Sequence, residues 1–251
     1  MNADARQQAI LEQLGHRGEV SIADLSARYN VSEMTVRRDL NQLAAAGLIV
    51  RTHGGATVAV SGSFEPPFAV RARTNMEAKR SIGRAIAAEI RDGQTIILDG
   101  GTTGLAIAEQ IVGRPITVCA LNIKIAAVLA EDTATRVMVP GGIVRTGELS
   151  LTGPDAAAAL AAFRFDLFLM TASAASATGF TEWNADDAAV KRSALAAARR
   201  TIVAVDSSKF GTEAFARICP LEGVDLVVTD AEVAAPDRSP LDQAGIELLI
   251  A

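Results

Sequence analysis

The chain has 251 residues and a formal net charge of −5, with 24 lysines and arginines against 29 aspartates and glutamates. This length and a hydrophobic content of 49% provide a substantial core and exclude a disordered chain. The N-terminus lacks the basic and apolar segments of a signal peptide, and no apolar run is long enough to span a bilayer. With two histidines and two well-separated cysteines, we expect no metal site, no cofactor, and reduced, buried thiols at Cys119 and Cys219. These features favour a cytoplasmic protein with no membrane segment.

The sequence predicts two domains joined by a linker. Residues 1–60 have the pattern of short helices followed by a hairpin, and residues 78–251 alternate strand-like and helical runs. The linker between them, residues 61–77, begins with SGSFEPP, whose glycine and paired prolines interrupt both helix and strand. Because alternating strands and helices are typical of a parallel sheet, the predicted fold class is α/β with a small helical N-terminal domain.

Three helices are predicted in the N-terminal domain. We expect the first to end at Gly15 and the third to end at Gly47. Ser21 and Ser32 each precede a helical run as N-caps, and Asp24 completes a capping box with Ser21. Two capped helices separated by a tight turn constitute a helix-turn-helix.

The third helix carries side chains suited to contacting DNA. Val36, Leu40 and Leu43 recur at helical spacing and are expected to be buried. The opposite face and its two flanks then present Met34, Thr35, Arg37, Arg38 and Asn41. Arginine and asparagine bind base edges bidentately, and arginine also binds phosphates. An ordinary solvated helix face is the alternative, but the helix caps and the exposed chemistry together favour DNA binding.

The segment LIVRTHGGATVAV predicts two short strands joined by a glycine turn, which makes the domain a winged helix-turn-helix. Arg51 and His53 would contact the DNA backbone or minor groove from this wing, although a plain hairpin position explains His53 equally well. Residues 1–57 contain six basic and six acidic side chains, so binding needs a second copy or focused base contacts. The predicted DNA-binding residues are Ser21, Ser32, Met34, Thr35, Arg37, Arg38, Asn41, Arg51 and His53.

The C-terminal domain contains two turn motifs that indicate an anion site. One predicted strand ends in DGGTTG and another ends in DSSK, while Asn122 and a PGG turn with Arg145 follow two further strands. The carboxyl ends of parallel strands meet at one edge of a sheet, where helix N-termini and an ammonium group favour a phosphate. For DGGTTG alone, a tight turn capped by Thr102 or Thr103 is an equal alternative.

The chain resembles the DeoR-type bacterial regulators, which are mostly repressors of sugar-metabolism operons. The similarity extends over nearly the whole chain through VSEMTVRRDL, LDGGTT, PGGIVR and VDSSKFG, which are highly specific in combination. The resemblance implies a sensor domain that is similar to the ribose-phosphate isomerase fold and binds a phosphorylated sugar. It implies a phosphate held by Gly101, Thr102, Thr103 and Lys209. The predicted effector-binding residues are Asp99, Gly101, Thr102, Thr103, Asn122, Gly141, Gly142, Arg145 and Lys209.

Two segments depart from the family pattern. Leu121 precedes Asn122 where the family usually has a serine or threonine, and residues 172–174 read ASA where relatives tend to have glycines and a polar residue. These differences predict a pocket shaped for an unusual effector. We interpret Trp183 as a packing residue in preference to a platform for a sugar ring, and Lys191 as a surface lysine.

The alternative function is a sugar-phosphate isomerase-like enzyme with an accessory DNA-binding domain. Isomerisation needs a general base, and the corresponding segment TASAASA has no carboxylate. Asp99, Glu182 and Asp206 are the remaining candidates, and turn or cap roles explain them equally well. A winged helix used for protein contacts is a third possibility, against which the exposed arginines argue. We therefore expect a non-enzymatic repressor that binds double-stranded operator DNA as a homo-oligomer, either a dimer or a tetramer, under control of a phosphorylated sugar.

Overall fold

The computed structural model describes residues 2–45, 49–57, 65–230 and 233–251. The chain divides into two compact units, Met1–Thr74 and Asn75–Ala251. The predicted linker, residues 61–77, contains one complete short helix, Phe68–Arg71, and the start of a longer helix at Met76.

The N-terminal unit is a winged helix-turn-helix, as predicted. Its described elements are α1 (Ala3–Arg17), β1 (Glu19–Ser21), α2 (Ile22–Tyr29), α3 (Glu33–Ala45), β2 (Val50–Arg51), β3 (Gly55–Thr57) and α4 (Phe68–Arg71). Strand β3 lies between β1 and β2 and pairs antiparallel with both. Val36, Leu40 and Leu43 of α3 are buried with residues of α1 and α2 in one apolar cluster, which confirms the predicted stripe.

The predicted N-caps of α2 and α3 are present. Ser21 Oγ accepts a hydrogen bond from the Asp24 amide at 3.0 Å, and Ser32 Oγ accepts one from the Thr35 amide at 3.2 Å. Each bond satisfies an amide that has no partner within its own helix.

The prediction that the first helix ends at Gly15 is wrong. Helix α1 continues to Arg17 and ends at Gly18, which has a left-handed φ of 75° and donates its N–H to Leu14 O at 2.8 Å. A glycine inside a helix costs only about 1 kcal/mol, whereas a left-handed C-cap residue stops the helix. The expected end of α3 at Gly47 lies outside the described residues.

The C-terminal unit is built on a parallel sheet. Its described helices are α5 (Met76–Glu89), α6 (Gly101–Ile111), α7 (Ile123–Leu129), α8 (Pro154–Ala161), α9 (Ala185–Ala197) and α10 (Ala235–Gln243), with single 3-10 turns at Ser207–Lys209 and Leu221–Gly223. Its described strands are β4 (Thr95–Leu98), β5 (Thr117–Ala120), β6 (Arg136–Met138), β7 (Ile143–Val144), β8 (Leu151–Thr152), β9 (Phe165–Thr171), β10 (Ala174–Ser176), β11 (Gly179–Glu182), β12 (Ala198–Ala204), β13 (Ala216–Cys219), β14 (Leu226–Thr229) and β15 (Glu247–Ile250).

Seven parallel strands form the central sheet in the order β15-β14-β12-β9-β4-β5-β6, which confirms the predicted α/β class. Successive residues of a strand face opposite sides. In β4, Ile96 and Leu98 therefore pack in one apolar cluster with α5, α6 and α7, while Ile97 packs in a second cluster with α8, α9 and α10. The unit has three layers, with helices on both faces of the sheet.

The order of the strands determines where a ligand can bind. From β4 the chain continues to β5 and β6 on one side, and β9, β12, β14 and β15 follow on the other side. The loops after β4 and β9 are therefore adjacent at the point where the order reverses. Ligands of open parallel sheets bind in the crevice at such a point, at the carboxyl ends of the strands.

The cysteines match their predicted environment in part. Both thiols are free, and Cys119 in β5 is buried, but Cys219 at the end of β13 is partly exposed. Cys219 ends a strand of the small antiparallel sheet β10-β11-β13, which lies outside the central sheet. Burial raises the pKa of the Cys119 thiol to about 12 and that of Cys219 to about 11.

Candidate functional site

The outward face of α3 has the predicted composition. Met34 is 76% exposed, Arg37, Arg38 and Asn41 are exposed, and Thr35 is half-buried. The Arg37 guanidinium lies 3.5 Å from the Glu33 carboxylate, with 48% and 58% of the two side chains exposed. A solvent-exposed pair of this kind contributes at most about 1 kcal/mol, so Arg37 can exchange Glu33 for a phosphate at little cost.

The wing places its two predicted DNA-binding residues in different environments. His53 is exposed in the turn between β2 and β3. Arg51 is half-buried, and its Nη1 donates to Gly55 O at 2.6 Å across the hairpin. Gly55 is required at its position because a Cβ atom there would lie 1.8 Å from Val20 O of the neighbouring strand.

A buried ion pair attaches α3 to α1. Arg6 Nε donates to Asp39 Oδ2 at 2.6 Å and Arg6 Nη2 donates to Asp39 Oδ1 at 3.1 Å, with 8% and 3% of the two side chains exposed. Gln7 Nε2 also donates to Asp39 Oδ1 at 3.3 Å. The hydrogen bond to Asp39 raises the pKa of Arg6 despite the opposing effect of burial. A bidentate arginine–carboxylate contact fixes direction as well as distance, so it fixes the orientation of α3 on α1.

In the C-terminal unit, Asp99 joins the ends of β4 and β9. Its Oδ2 accepts hydrogen bonds from the Thr171 amide and hydroxyl, both at 2.9 Å, and its Oδ1 accepts one from the Gly100 amide at 2.7 Å. Asp99 is 4% exposed. The carboxylate therefore holds the DGGTTG turn in place beside β9.

The prediction that Lys191 is a surface lysine is wrong. Its Nζ lies 2.9 Å from Asp99 Oδ2, donates to Thr171 O at 2.9 Å, and also bonds Glu182 Oε2. Burial alone would lower the pKa of Lys191, but Asp99 and then Glu182 raise it by more. For Glu182 burial alone would raise the pKa, but Lys191 together with the hydrogen bonds from Ser173 and the Trp183 amide lowers it. Helix α9 covers the sheet, so a lysine on its inner face is buried and needs these carboxylates.

Asn122 and Arg145 belong to the adjacent part of the same edge. Asn122 is 1% exposed and caps α7 by accepting from the Lys124 amide at 2.9 Å. Asn122 also forms an isolated bridge with Ser150, whose hydroxyl accepts a hydrogen bond from Arg145 Nε at 3.2 Å. Arg145 Nη2 lies 2.7 Å from Asp187 Oδ2. Burial raises the pKa of Asp187 to about 6, and the attraction of Arg145 only partly offsets it.

The predicted glycines and threonines lie where the chain turns. Gly101, Gly141 and Gly142 have positive φ values of 75°, 80° and 92°. Helix α6 begins at Gly101 after Gly100, with no side-chain hydrogen bond at its N-cap. Thr102 and Thr103 are each 8% exposed within α6, and neither is its N-cap as the alternative interpretation of this motif required.

Lys209 contacts the only tryptophan of the chain. Its Nζ lies 4.9 Å from the centroid of the Trp183 ring, within the range of a cation–π interaction. The Trp183 amide donates to Glu182 Oε1 at 2.9 Å, so three successive contacts, through Trp183 and Glu182, link Lys209 to Lys191. Trp183 is half-buried and has a cationic neighbour against its ring.

Two chains of contacts each connect two of the nine predicted effector-binding residues. One runs from Asp99 through Lys191, Glu182 and Trp183 to Lys209. The second runs through Asn122 and Ser150 to Arg145 and Asp187, as described above. Lys191 and Asp187 were not predicted as site residues, and Glu182 was considered only as a candidate general base for the alternative enzyme. Asp187 and Lys191 lie four residues apart, so both side chains are on one face of α9. Since α9 covers the sheet, this spacing was a signal in the sequence that the two charged residues belong to the site.

Within the described residues, no helix is long and apolar enough to cross a membrane. The same part of the chain contains no cluster of three or more histidine, cysteine, aspartate or glutamate side chains arranged to bind a metal ion.

A winged helix-turn-helix with an arginine-bearing exposed helix, followed by an α/β unit with charged groups at the carboxyl edge of its sheet, is typical of a transcriptional regulator with a ligand-sensing domain. Family models agree with this class over most of the chain. Residues 6–61 match the DeoR-like helix-turn-helix domain, and residues 74–231 match the DeoR C terminal sensor domain. The chain belongs to the DeoR family, and it is a regulator of transcription and not an enzyme.

Curated relatives are similar over more than nine-tenths of their length. The chain is 32% identical over 233 residues to the glycerol-3-phosphate regulon repressor of Escherichia coli strain K12, covering 92% of both chains. It is 31% identical to the transcriptional repressor CsqR of the same strain, over all of this chain and 96% of the relative. It is 30% identical to the transcriptional repressor GlcR of Bacillus subtilis strain 168, over all of this chain and 97% of the relative. Among solved structures, ribose 5-phosphate isomerase A from Methanocaldococcus jannaschii aligns over 54% of this chain and 55% of its own, with a TM-score of 0.41 and 12% identity.

Proposed function

We propose that this protein represses a sugar or carbohydrate catabolic operon and responds to a phosphorylated sugar. The observation that carries the proposal is the exposed arginine and asparagine face of α3, which the buried Arg6–Asp39 pair holds in a fixed orientation. The names of three relatives support it: all three are named as repressors, and one of them is the glycerol-3-phosphate regulon repressor.

Helix α3 enters the major groove in this proposal. Arg38 and Asn41 face the base edges, Met34 offers an apolar contact to a thymine methyl group, and Arg37 binds a phosphate. Ser21, Ser32 and Thr35 contribute at the helix N-termini, where amides and hydroxyls favour a phosphate oxygen. Arg51 and His53 contact the DNA backbone or minor groove from the wing.

The effector binds at the carboxyl edge of the central sheet. Its phosphate is held by Lys209 and by the start of α6 at Gly101, Thr102 and Thr103, because an ammonium group and a helix N-terminus both favour an anion. The remaining predicted residues line the sugar side of the pocket: Asp99, Asn122, Gly141, Gly142 and Arg145. Lys191 is the internal counterion that keeps Asp99 in place.

A homo-oligomer completes the proposal. The six basic and six acidic side chains of residues 1–57 give one module little general attraction to DNA. Two copies on half-sites about 34–36 Å apart, or a multiple of this spacing, add their contacts and reach genomic selectivity. A regulator of transcription acts on the chromosome, so we place the protein in the bacterial cytoplasm.

The experiment is a binding assay on the full chain with DNA from its own promoter region. Labelled promoter DNA is titrated by fluorescence anisotropy, alone and with glycerol 3-phosphate, ribose 5-phosphate or glucose 6-phosphate. We expect promoter affinity above that for scrambled DNA and a change with at least one sugar phosphate. Lys209→Met is the matched variant, which should keep promoter affinity and lose the response. Equal affinity for promoter and scrambled DNA would refute the proposed function. An unchanged response to sugar phosphate in Lys209→Met would show that Lys209 does not bind the effector.

A further inference from the structure

Asn75 starts the C-terminal unit in an unusual way. It is the first residue of that unit and the N-cap of α5, and its φ is a left-handed 52°. An asparagine at an N-cap commonly accepts a hydrogen bond from its own helix. The Asn75 side chain makes no such bond, and its Nδ2 donates instead to Asp206 Oδ1 at 2.9 Å. The start of α5 is therefore tied to the loop that follows β12.

Asp206 is also part of the effector edge. It is 1% exposed and caps the 3-10 turn Ser207–Lys209 by accepting from the Ser208 amide at 3.2 Å and from the Ser208 hydroxyl. Lys209, at the end of this turn, is the proposed phosphate-binding residue. One carboxylate thus holds both the turn that carries Lys209 and the residue that begins α5.

Two lysines act electrostatically on Asp206. Burial alone would raise its pKa, but the charge of Lys209, the hydrogen bonds from Ser208 and Asn75, and the charge of Lys79 together lower it by more. The carboxylate is therefore negative at neutral pH. Lys79 belongs to α5, is 6% exposed, and donates its backbone amide to Asn75 O at 3.1 Å. Asp206 consequently has one cation on the effector side and one on the α5 side.

We propose that Asp206 and Asn75 transmit effector binding from Lys209 to the start of α5, where the chain enters the C-terminal unit from the DNA-binding unit. This inference rests on the proposed function, because it requires an anion at Lys209. A phosphate that engages Lys209 weakens the attraction of this cation for Asp206. Asp206 then depends more on Lys79 and Asn75, so the position of Asn75 differs between the free and the ligand-bound chain. Such a difference in interaction between two states is what allows a ligand to shift their populations.

Asn75→Gly tests the transmission. Glycine keeps the left-handed backbone and removes only the amide that reaches Asp206. The matched control is Thr95→Val, which removes the hydrogen bond from Thr95 Oγ1 to Asp166 Oδ2 at 2.8 Å. Thr95 begins β4 and so lies at the opposite end of the sheet from Asp206. Each variant removes a side-chain hydrogen bond to a carboxylate of the same unit, and Thr95→Val also removes the bond that Thr95 Oγ1 accepts from the Asp166 amide at 3.1 Å.

Two quantities are measured on the full chain. The first is the affinity of glycerol 3-phosphate, ribose 5-phosphate and glucose 6-phosphate by calorimetry without DNA. The second is the ratio of promoter affinities with and without the sugar phosphate that binds, for which coupled sites typically give about 5- to 150-fold. In Asn75→Gly we expect this ratio to fall below about threefold while the sugar phosphate affinity stays within about threefold of wild type. Thr95→Val should match wild type in both quantities.

The outcomes separate the inference from the proposed function. A wild-type ratio in Asn75→Gly overturns the inference and leaves the proposed function intact. Loss of sugar phosphate affinity in that variant also overturns it, because Asn75 would then act in binding and not in transmission. A wild-type chain that ignores all three compounds overturns the proposed function and the inference together. Should Asn75→Gly fail to fold, as judged by Trp183 fluorescence, Asn75→Asp replaces it, since a second carboxylate beside Asp206 breaks the same contact with little change in size.

Discussion

The Arg6–Asp39 pair gives a prediction about the DNA-binding unit. In Arg6→Met the apolar stem is kept and the guanidinium is removed, which leaves Asp39 buried with only Gln7 Nε2 at 3.3 Å as a side-chain partner. In the double variant Arg6→Met/Asp39→Leu both charges are absent. We expect the single variant to be much less stable than the double variant, because a buried charge without its partner is worse than no charge.

The structure sets the size of the effect. Only 8% and 3% of the two side chains are exposed, so the pair belongs to the buried class, for which removing one partner costs about 3–5 kcal/mol. The unit spans residues Met1–Thr74, for which roughly 0.05–0.15 kcal/mol per residue gives a total stability of about 4–11 kcal/mol. Arg6→Met should therefore lose a large part of that stability and, with it, promoter binding.

The assay is urea unfolding of the full chain with two optical signals. The chain has one tyrosine, Tyr29, in the N-terminal unit and one tryptophan, Trp183, in the C-terminal unit, so tyrosine emission and selectively excited tryptophan report on them separately. We expect the Tyr29 transition to move to lower urea in Arg6→Met and to recover by at least half in the double variant, with the Trp183 transition unchanged. A loss below about 1 kcal/mol in Arg6→Met would refute the reasoning, because that is the value of a solvent-screened pair.

Three further predictions follow from the same contacts. Arg38→Ala should lose about 1–3 kcal/mol of promoter-binding free energy and change the preferred base at one position. The control Arg28→Ala on α2 should change neither quantity. An equal loss of affinity on all DNA sequences would show that Arg38 contacts a phosphate and not a base. Lys191→Met leaves the buried carboxylates of Asp99 and Glu182 without their cation, so the free energy of unfolding measured by Trp183 should fall by about 3–5 kcal/mol. The exposed Arg199→Met is the control and should lose at most about 1 kcal/mol. Similar losses in both variants would contradict the buried network. The pKa of Asp187 is about 6 in the folded chain and 3.8 for the free group, so the folded chain holds the proton on this carboxyl more tightly than the unfolded chain does. The resulting contribution to the free energy of unfolding is complete below pH 3.8 and is lost as pH rises through 6. Asp187→Asn should therefore have a free energy of unfolding about 3 kcal/mol above that of wild type at neutral pH, and this difference should disappear toward pH 4. A difference that does not change with pH, or that has the opposite sign, would show that the attraction of Arg145 outweighs burial.

Local patterns predicted much of the N-terminal unit. The caps at Ser21 and Ser32 and the stripe of Val36, Leu40 and Leu43 depend on residues only three or four positions apart, which a sequence displays directly. The end of α1 was missed because its signal is a backbone conformation, the left-handed φ of Gly18, and not the presence of a glycine.

The contacts within the candidate site could not be predicted in the same way. The strand-end motifs correctly indicated one edge of a parallel sheet, because topology alone brings carboxyl ends together. Lys191 was misjudged because its burial depends on how α9 packs on the sheet and on carboxylates from β4 and β11. The Asn75–Asp206 hydrogen bond joins residues 131 positions apart, and no local pattern in the sequence encodes such a pairing.

The edge of the central sheet at β6 bears on how two copies of this protein can associate. Strand β6 has three residues, begins with the exposed Arg136, and is followed closely by Pro140, which has no amide hydrogen to donate. Short, charged strands that precede a proline are poor templates for a further strand. At this border, two molecules would therefore meet through side chains and not by joining their sheets into a continuous ribbon.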